Sequence, residues 1–489
     1  MRKRMQLIPK KLNVSSGGPL IVVLNEKDAN ELKIHAFDRL KIVNKNKTIY
    51  ALLDVSSNIP KGKIGLFNET YFKLNTKNKI KVFPSETPKS VRAIKNKLEG
   101  KELSKREINL IMNDLRSNEL LEVEIAYFVA ACYNNKLTDK EVEHLTKATL
   151  KEGKKLKLNK KIIADKHCIG GVPNNRTSMI IAPIIAAAGI TMPKTSSRSI
   201  TSPAGTADTM EVLSKISFST EQMKKIIKKT NACLVWNEGM EVTGADSKLI
   251  KIRHPLRLDP AGLMIASILA KKHAVGATHL LLDIPLGKNA KVQTKKEARH
   301  LKKRFEKISK ILKIKTKVII TPADEPIGNG VGPALEAIDV LRILRREENA
   351  PKDLEKKALM MADKILKLTN TKISAKNILN SGQAYKKFKE IIKAQKGNPN
   401  ILPENIPLGE YTYNVKAPKK GKIKSIDNRK IATLARLAGA PGNKGAGVYL
   451  HKKLKEKVNK RETILTIYAE NKEKLNYAKT EIKEIFEIS

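Results

Sequence analysis

Past residue 160 the apolar positions fall into two alternating rhythms. Short apolar runs at 162–164, 190–194, 278–284 and 317–321 have the length of strands. Between them lie stretches of helical period: 177–188, one beginning near Thr206, and 295–312. Strands alternating with helices predict a parallel sheet covered by helices. Polar or glycine-rich loops follow each strand end, where open α/β sheets bind ligands. The chain ahead of this region reads differently. β-like runs at 20–24, 40–43, 49–53 and 80–82 are separated by Gly, Asn and Asp turns, and end at the Pro84–Pro88 stretch. From 89 to 160 the period is helical. Ser104 with Glu107 reads as an N-terminal capping pair, followed by Ile108, Ile111, Met112 and Leu115 at helical spacing. Runs 122–133 and 139–150 repeat the pattern, and a further helix at 259–272 interrupts the α/β region. After a helix at 354–368 the pattern weakens, 393–407 reads as a linker, and 408–489 as a smaller tail.

These signals predict an α/β multidomain chain. Residues 1–86 form a small N-terminal β-rich domain, and 87–160, with 245–275 inserted back, a helical-bundle domain. Residues 161–244 and 276–400 form a central α/β domain with a mostly parallel sheet, and 401–489 a C-terminal α/β tail domain.

Composition adds a charge field. The 96 Lys and Arg outnumber the 49 Asp and Glu, for a net charge of +47. Lysines are spread from end to end and aromatics are only 4%, so the pattern fits a solvated surface better than a nucleic-acid face. Such a field still draws small anions inward. No apolar run reaches the ~18 residues of a membrane span. The basic start MRKRMQLIPKK has no apolar run behind it and does not read as a signal peptide. Cys132, Cys168 and Cys233 are scattered without CxxC, which fits a reducing, cytoplasmic setting.

The chemistry concentrates in residues 165–210. An apolar strand leads into Asp165-Lys166-His167-Cys168, then Gly170-Gly171, then a helix. The order repeats at once, with a hydroxyl-rich loop from Thr195 to Ser202 and a helix starting near Thr206. Glycines let backbone approach an anion, and Lys166, Ser196, Ser197, Thr201, Ser202 and Thr206 supply donors. The spacing is neither that of a P-loop nor of a dinucleotide fingerprint. The competing reading is an ordinary βα turn with serines capping helices. His167 either touches a substrate or packs the loop. Cys168 beside Lys166 is expected to favour its thiolate. A second constellation is Asp259, Ser267, Lys271 and Lys291. One helix can carry the first three on roughly one face, although Asp259 before Pro260 also suits an N-cap. No HExxH, cysteine-paired histidine or GxSxG is present, so no metal ligand set or serine elbow is assigned. The glycine loop at 439–447 is a weak anion candidate.

The segments Lys166-His167, Gly170-Gly171, Ser196-Ser197-Arg198 and Gly205-Thr206 with Asp208 resemble the thymidine and pyrimidine nucleoside phosphorylase family. The longer strings DKHCIGGVP, NRT, PKTSSR, AGTAD, ASILAKK and PIGNGVGPALEA, in that order, are most similar to its archaeal AMP phosphorylase branch. The resemblance implies an enzyme, a pentosyltransferase of nucleotide salvage. It would convert AMP and inorganic phosphate to adenine and ribose 1,5-bisphosphate, at a site between a helical and an α/β domain. It implies that Gly171, Ser197, Arg198, Ser199, Ile200, Thr201, Ser202, Thr206, Ser267 and Lys291 bind AMP. Lys166, Cys168, Ser196 and Thr206 would hold phosphate, with His167 and Lys271 as weaker candidates, and Asp259 would protonate the leaving base. No cofactor is implied, phosphate being a co-substrate. The N-terminal domain is expected to mediate a homo-oligomer, and no membrane or specific nucleic-acid partner is implied.

Departures from the family pattern are Cys168 for serine, Asn174 for glycine, Ser199 and Pro203 for alanine, and an altered segment at 237–245. They bear on affinity and base preference. A pyrimidine nucleoside phosphorylase is the alternative within the class. A nucleic-acid-binding protein on a phosphorylase scaffold is the alternative outside it.

Overall fold

The computed structural model describes residues 4–150, 156–199, 202–236, 244–253, 255–256 and 258–489. Ile200, Thr201 and most of the altered 237–245 segment lie outside these. The chain divides into two compact units, Met1–Lys151 with Thr243–Ser267, and Glu152–Val242 with Ile268–Ser489.

The first unit begins with a closed barrel. Its strands are β1 (Met5–Lys11), β2 (Ile21–Leu24), β3 (Arg39–Asn44), β4 (Lys47–Val55), β5 (Lys63–Leu66) and β6 (Ile80–Pro84), closing in the order β1-β5-β2-β4-β3-β6. Alternation drives it: Leu40, Ile42, Ile49, Ala51, Leu53, Ile80 and Val82 all point into one core. Two strands escape the sequence pattern. In β1 only Leu7 is buried, and β5 has just four residues. The helical part of this unit comprises Lys89–Leu98, Lys105–Ser117, Glu122–Asn134, Asp139–Leu150 and Gly244–Arg253. The capping pair forms as expected, with Ser104 N donating to Glu107 Oε2 at 2.9 Å and Glu107 N to Ser104 Oγ at 3.3 Å.

The second unit is built on parallel strands β7 (Ala164–Cys168), β8 (Met192–Ser196), β9 (Ala232–Trp236), β10 (His279–Leu286) and β11 (Lys315–Pro322). β10 lies between β7 and β11, and β8 pairs with β9. A parallel bridge from Ile163 to Thr191 continues the row from β7 to β8. The spatial order is therefore β9-β8-β7-β10-β11. The chain winds outward from β7 on one side, then returns to β10 on the other, so the topological switch lies between β7 and β10. Helix Thr177–Ala187 is apolar on all sides, and that composition fits its place in the main core beside Pro333–Arg345, Lys352–Leu368 and Gln383–Ala394. The tail has its own core. Its strands Tyr411–Lys416, Thr463–Ala469 and Gly447–Leu450 are antiparallel and take in Gly330–Val331.

The expected linker at 393–407 is instead packed. Gln395 is fully buried against the edge of β9. Its Oε1 accepts from Leu234 N at 2.8 Å, while Nε2 donates to Leu234 O at 2.9 Å and Lys215 O at 3.0 Å. The amide acts as one more rung on an edge strand, and polar composition concealed it. Gln395→Leu strands both Leu234 groups without partners. It is expected to lower stability by about 2–3 kcal/mol, read as an earlier urea midpoint; an unchanged midpoint would show that water replaces the rung.

Candidate active site

The loops leaving β7 and β10 meet at the switch. Gly170 and Gly171 have φ of +97° and +96°, a region that suits glycine. A Cβ on Gly171 would lie 2.7 Å from the Lys291 backbone nitrogen, so only glycine permits this approach. Lys291 Nζ in turn donates to Ile169 O at 3.5 Å.

Beneath the loop, Lys166 is almost fully buried, and its Nζ donates to Thr177 Oγ1 at 2.6 Å. Burial lowers its pKa. Thr177 Oγ1 donates to Asn175 Oδ1 at 3.3 Å, and Asn175 Nδ2 donates to Cys168 Sγ at 3.1 Å. The expected Cys168 thiolate is corrected here. Burial and the nearby Asp283 carboxylate raise its pKa, and the opposing Lys166 charge does not prevail. Burial and the surrounding lysines push His167 well below its ordinary value, so its imidazole is neutral.

Positive charge is concentrated behind this loop. Asp165 pairs with Lys272 at 2.7 Å and Lys194 at 3.7 Å, and Lys194 Nζ donates to Lys166 O at 2.6 Å. Burial, with Lys272 nearby, brings Lys194 down to about 7.

At the end of β8 the Ser196 hydroxyl is buried and makes no hydrogen bond to any of the described residues. A buried donor without a partner is costly, and an anion in this loop would satisfy it. The loop beyond is stapled at both ends by Asp208, whose Oδ2 accepts from Ser199 N at 2.7 Å and Gly205 N at 2.8 Å. Arg198 lies at 3.2 Å from Asp208, forks onto Glu211 at 2.6 and 2.7 Å, and stacks on Trp236. Hydrogen bonding from Arg198, and then from Lys444, holds Glu211 down to about 2. The guanidinium thus braces the loop, a role its expected place among AMP ligands did not foresee. Ser199 and Ser202 turn their hydroxyls onto backbone oxygens of the same loop, while Ser197 is exposed.

Arg176 joins the two loops. It donates from Nη1 to Thr206 Oγ1 at 3.0 Å and from Nη2 to Ala204 O at 2.8 Å, and from Nε to the buried Glu336. Burial raises Glu336 to about 7, with Arg176 the foremost opposing influence. Neighbouring Asn174 donates to Asp339 Oδ2 at 2.6 Å. Lys166, Gly171, Cys168, Ser196, Thr206 and Lys291 thus belong to one set of loops.

The other constellation is divided. Asp259 precedes helix Ala261–Ala274 in the first unit and pairs with Arg253 at 3.1 Å. Ser267, also in the first unit, donates to Asp246 Oδ2 at 2.7 Å. Lys271 lies further along the same helix, in the second unit. Sequence reasoning missed Arg253, Asp246, Thr177, Arg176 and Glu336. The NRT and PALEA strings held the last three, but no chemistry had been assigned to them.

Residues 91–153 match the helical bundle domain of the glycosyl transferase family and 160–393 its a/b domain. Residues 422–489 match the pyrimidine nucleoside phosphorylase C-terminal domain. AMP phosphorylase from Pyrococcus horikoshii is 46% identical over 469 residues, 94% of this chain and 93% of its own. That of Thermococcus kodakarensis is 43% identical over 469 residues, with 94% and 93% covered. That of Methanococcoides burtonii is 40% identical over 489 residues, 98% of this chain and 96% of its own. The chain belongs to the AMP phosphorylase family. Anthranilate phosphoribosyltransferase from Thermus thermophilus shares the fold, with a TM-score of 0.52, 18% identity, and coverage of 62% of this chain and 99% of that one.

For this member of the AMP phosphorylase family, Gly171→Ala forces the β7 and β10 loops apart. It is expected to weaken inorganic phosphate binding by about 10-fold or more in calorimetry, with folding retained. An unchanged affinity would place the anion elsewhere.

Proposed function

We propose that the chain phosphorolyses AMP, releasing adenine and forming ribose 1,5-bisphosphate. The observation that carries this reading is the cradle at the β7–β10 switch. There Gly171 touches the Lys291 backbone, a buried lysine lies beneath, and at the end of β8 the Ser196 hydroxyl lacks a partner among the described residues. Relatives named as AMP phosphorylases match over 94% of this chain in support.

The bond from C1′ to the base nitrogen breaks, and a bond from C1′ to a phosphate oxygen forms. The base leaves as neutral adenine, so it must gain one proton. The attacking monohydrogen phosphate loses one, and the overall reaction balances without an added acid. Protonating the base as it leaves is still worth about 10²–10⁴ in rate. Asp259 fills that role once the Arg253 ion pair gives way and its carboxyl takes up a proton, which the proton lost by the attacking phosphate then replaces. It stands in an ion pair with Arg253, which the base must displace or share. Phosphate in the cradle stabilises the cationic sugar and then attacks it.

The 5′-phosphate of AMP is assigned to the 199–202 hydroxyls and Lys291. This second anion distinguishes the reading from the pyrimidine nucleoside alternative, whose substrates lack it. A nucleic-acid-binding role would instead show affinity that collapses steeply with salt.

Two outcomes test the assignment. Asp259→Asn should lower kcat by roughly 10²-fold with the melting temperature kept. Near-normal turnover would leave Asp259 a purely structural partner of Arg253. AMP should exceed adenosine in kcat/KM by roughly 10²–10⁴-fold, from two or three charge-assisted hydrogen bonds. Lys291→Ala should erase much of that preference while changing adenosine little. Equal use of thymidine or adenosine by the wild type would favour the pyrimidine-type alternative.

A further inference from the structure

Two polar residues of the first loop dock onto one helix. Asn174 and Arg176 reach Asp339 and Glu336 on helix Pro333–Arg345, and all four side chains are buried. Asp339 Oδ2 also accepts from Asn329 N at 2.7 Å and Gly330 N at 2.8 Å, which fixes it to the turn before the helix. Glu336 is likewise held by Gly332 N at 3.3 Å and Thr209 Oγ1 at 3.2 Å. The carboxylates are therefore immobile, and the loop residues are held by them.

Arg176 has a second task. Its Nη1 donates into the Thr206 hydroxyl oxygen, and its Nη2 into Ala204 O. A hydroxyl that accepts from a guanidinium keeps its own proton for donation, and the neighbouring charge polarises that proton.

We propose that Glu336 and Arg176 are positioning residues for inorganic phosphate: Glu336 fixes the guanidinium, and the guanidinium aims the Thr206 proton into the cradle while locking the two loops together. This rests on the phosphorolytic reading above. Burial that raises Glu336 to about 7 is countered chiefly by Arg176, which agrees with a pair whose members depend on each other. Arginine is needed because its fork serves Glu336, Thr206 and Ala204 at once, whereas a lysine offers one point charge.

The test compares wild type with Arg176→Lys and Glu336→Gln. Glu336→Gln is isosteric, its one carbonyl oxygen still accepts from Gly332 N while its amide nitrogen no longer accepts from Arg176, and it serves even if Arg176→Lys fails to fold. Steady-state kinetics give KM for phosphate and for AMP, and thermal melts with and without inorganic phosphate give binding without turnover. KM for phosphate should rise about 10-fold or more, and the phosphate-induced rise in melting temperature should shrink. KM for AMP should stay within about 2-fold. An unchanged phosphate KM, or an equal loss for AMP and phosphate, would reduce the pair to scaffold and overturn the proposal. A wild type with neither phosphate-dependent AMP turnover nor a phosphate-induced melting shift would overturn the functional reading itself.

Discussion

The candidate site depends on one close approach. β7 and β10 are neighbours in a parallel sheet, yet the chain leaves them in opposite directions, so their loops face an open crevice. In that crevice Gly171 stands against the Lys291 backbone with no room for a side chain. The contact fixes the distance between two loops that are far apart in sequence. Lys166 beneath and Ser196 alongside gain a common target only because of it.

The charges behind the cradle follow the same logic. Lys194 and Lys272 share Asp165 within the protein interior, Lys166 is buried nearby with its ammonium on Thr177, and burying such an excess of ammonium is unfavourable. The strain is visible in Lys194, brought down to about 7. An anion in the loop above supplies the missing negative charge. The second loop shows the opposite economy. Arg198, Asp208, Glu211 and Lys444 are paired among themselves and hold the loop's shape, while Ser199 and Ser202 close it further onto its own backbone oxygens.

Much of this was legible in the sequence because its causes are local. Helical periods, the Ser104–Glu107 cap and the strand–glycine–helix order of 162–188 each depend on residues close in the chain. The glycine pair marked a loop of unusual backbone, and Gly171 is where that loop makes its close approach. What stayed hidden was long-range. Arg176 and Glu336 are 160 residues apart, and nothing in either neighbourhood marks the other. Gln395 lies in a polar stretch that reads as linker until Leu234 is seen to need a partner. Cys168 was misread for the same reason. A lysine stands two residues before it, but its register partner across the sheet is Asp283, and burial together with that carboxylate outweighs the lysine.

The central claim is that an anion held at the β7–β10 switch attacks the sugar of a bound nucleotide. Phosphorus NMR of the purified chain with AMP and inorganic phosphate, with adenine followed by proton NMR of the same sample, tests this most directly. The account predicts that AMP and phosphate disappear together, and that a sugar carrying two phosphates appears in equal amount with free adenine. Ribose 5-phosphate with no consumption of inorganic phosphate would mean that water attacks instead, and would contradict the account.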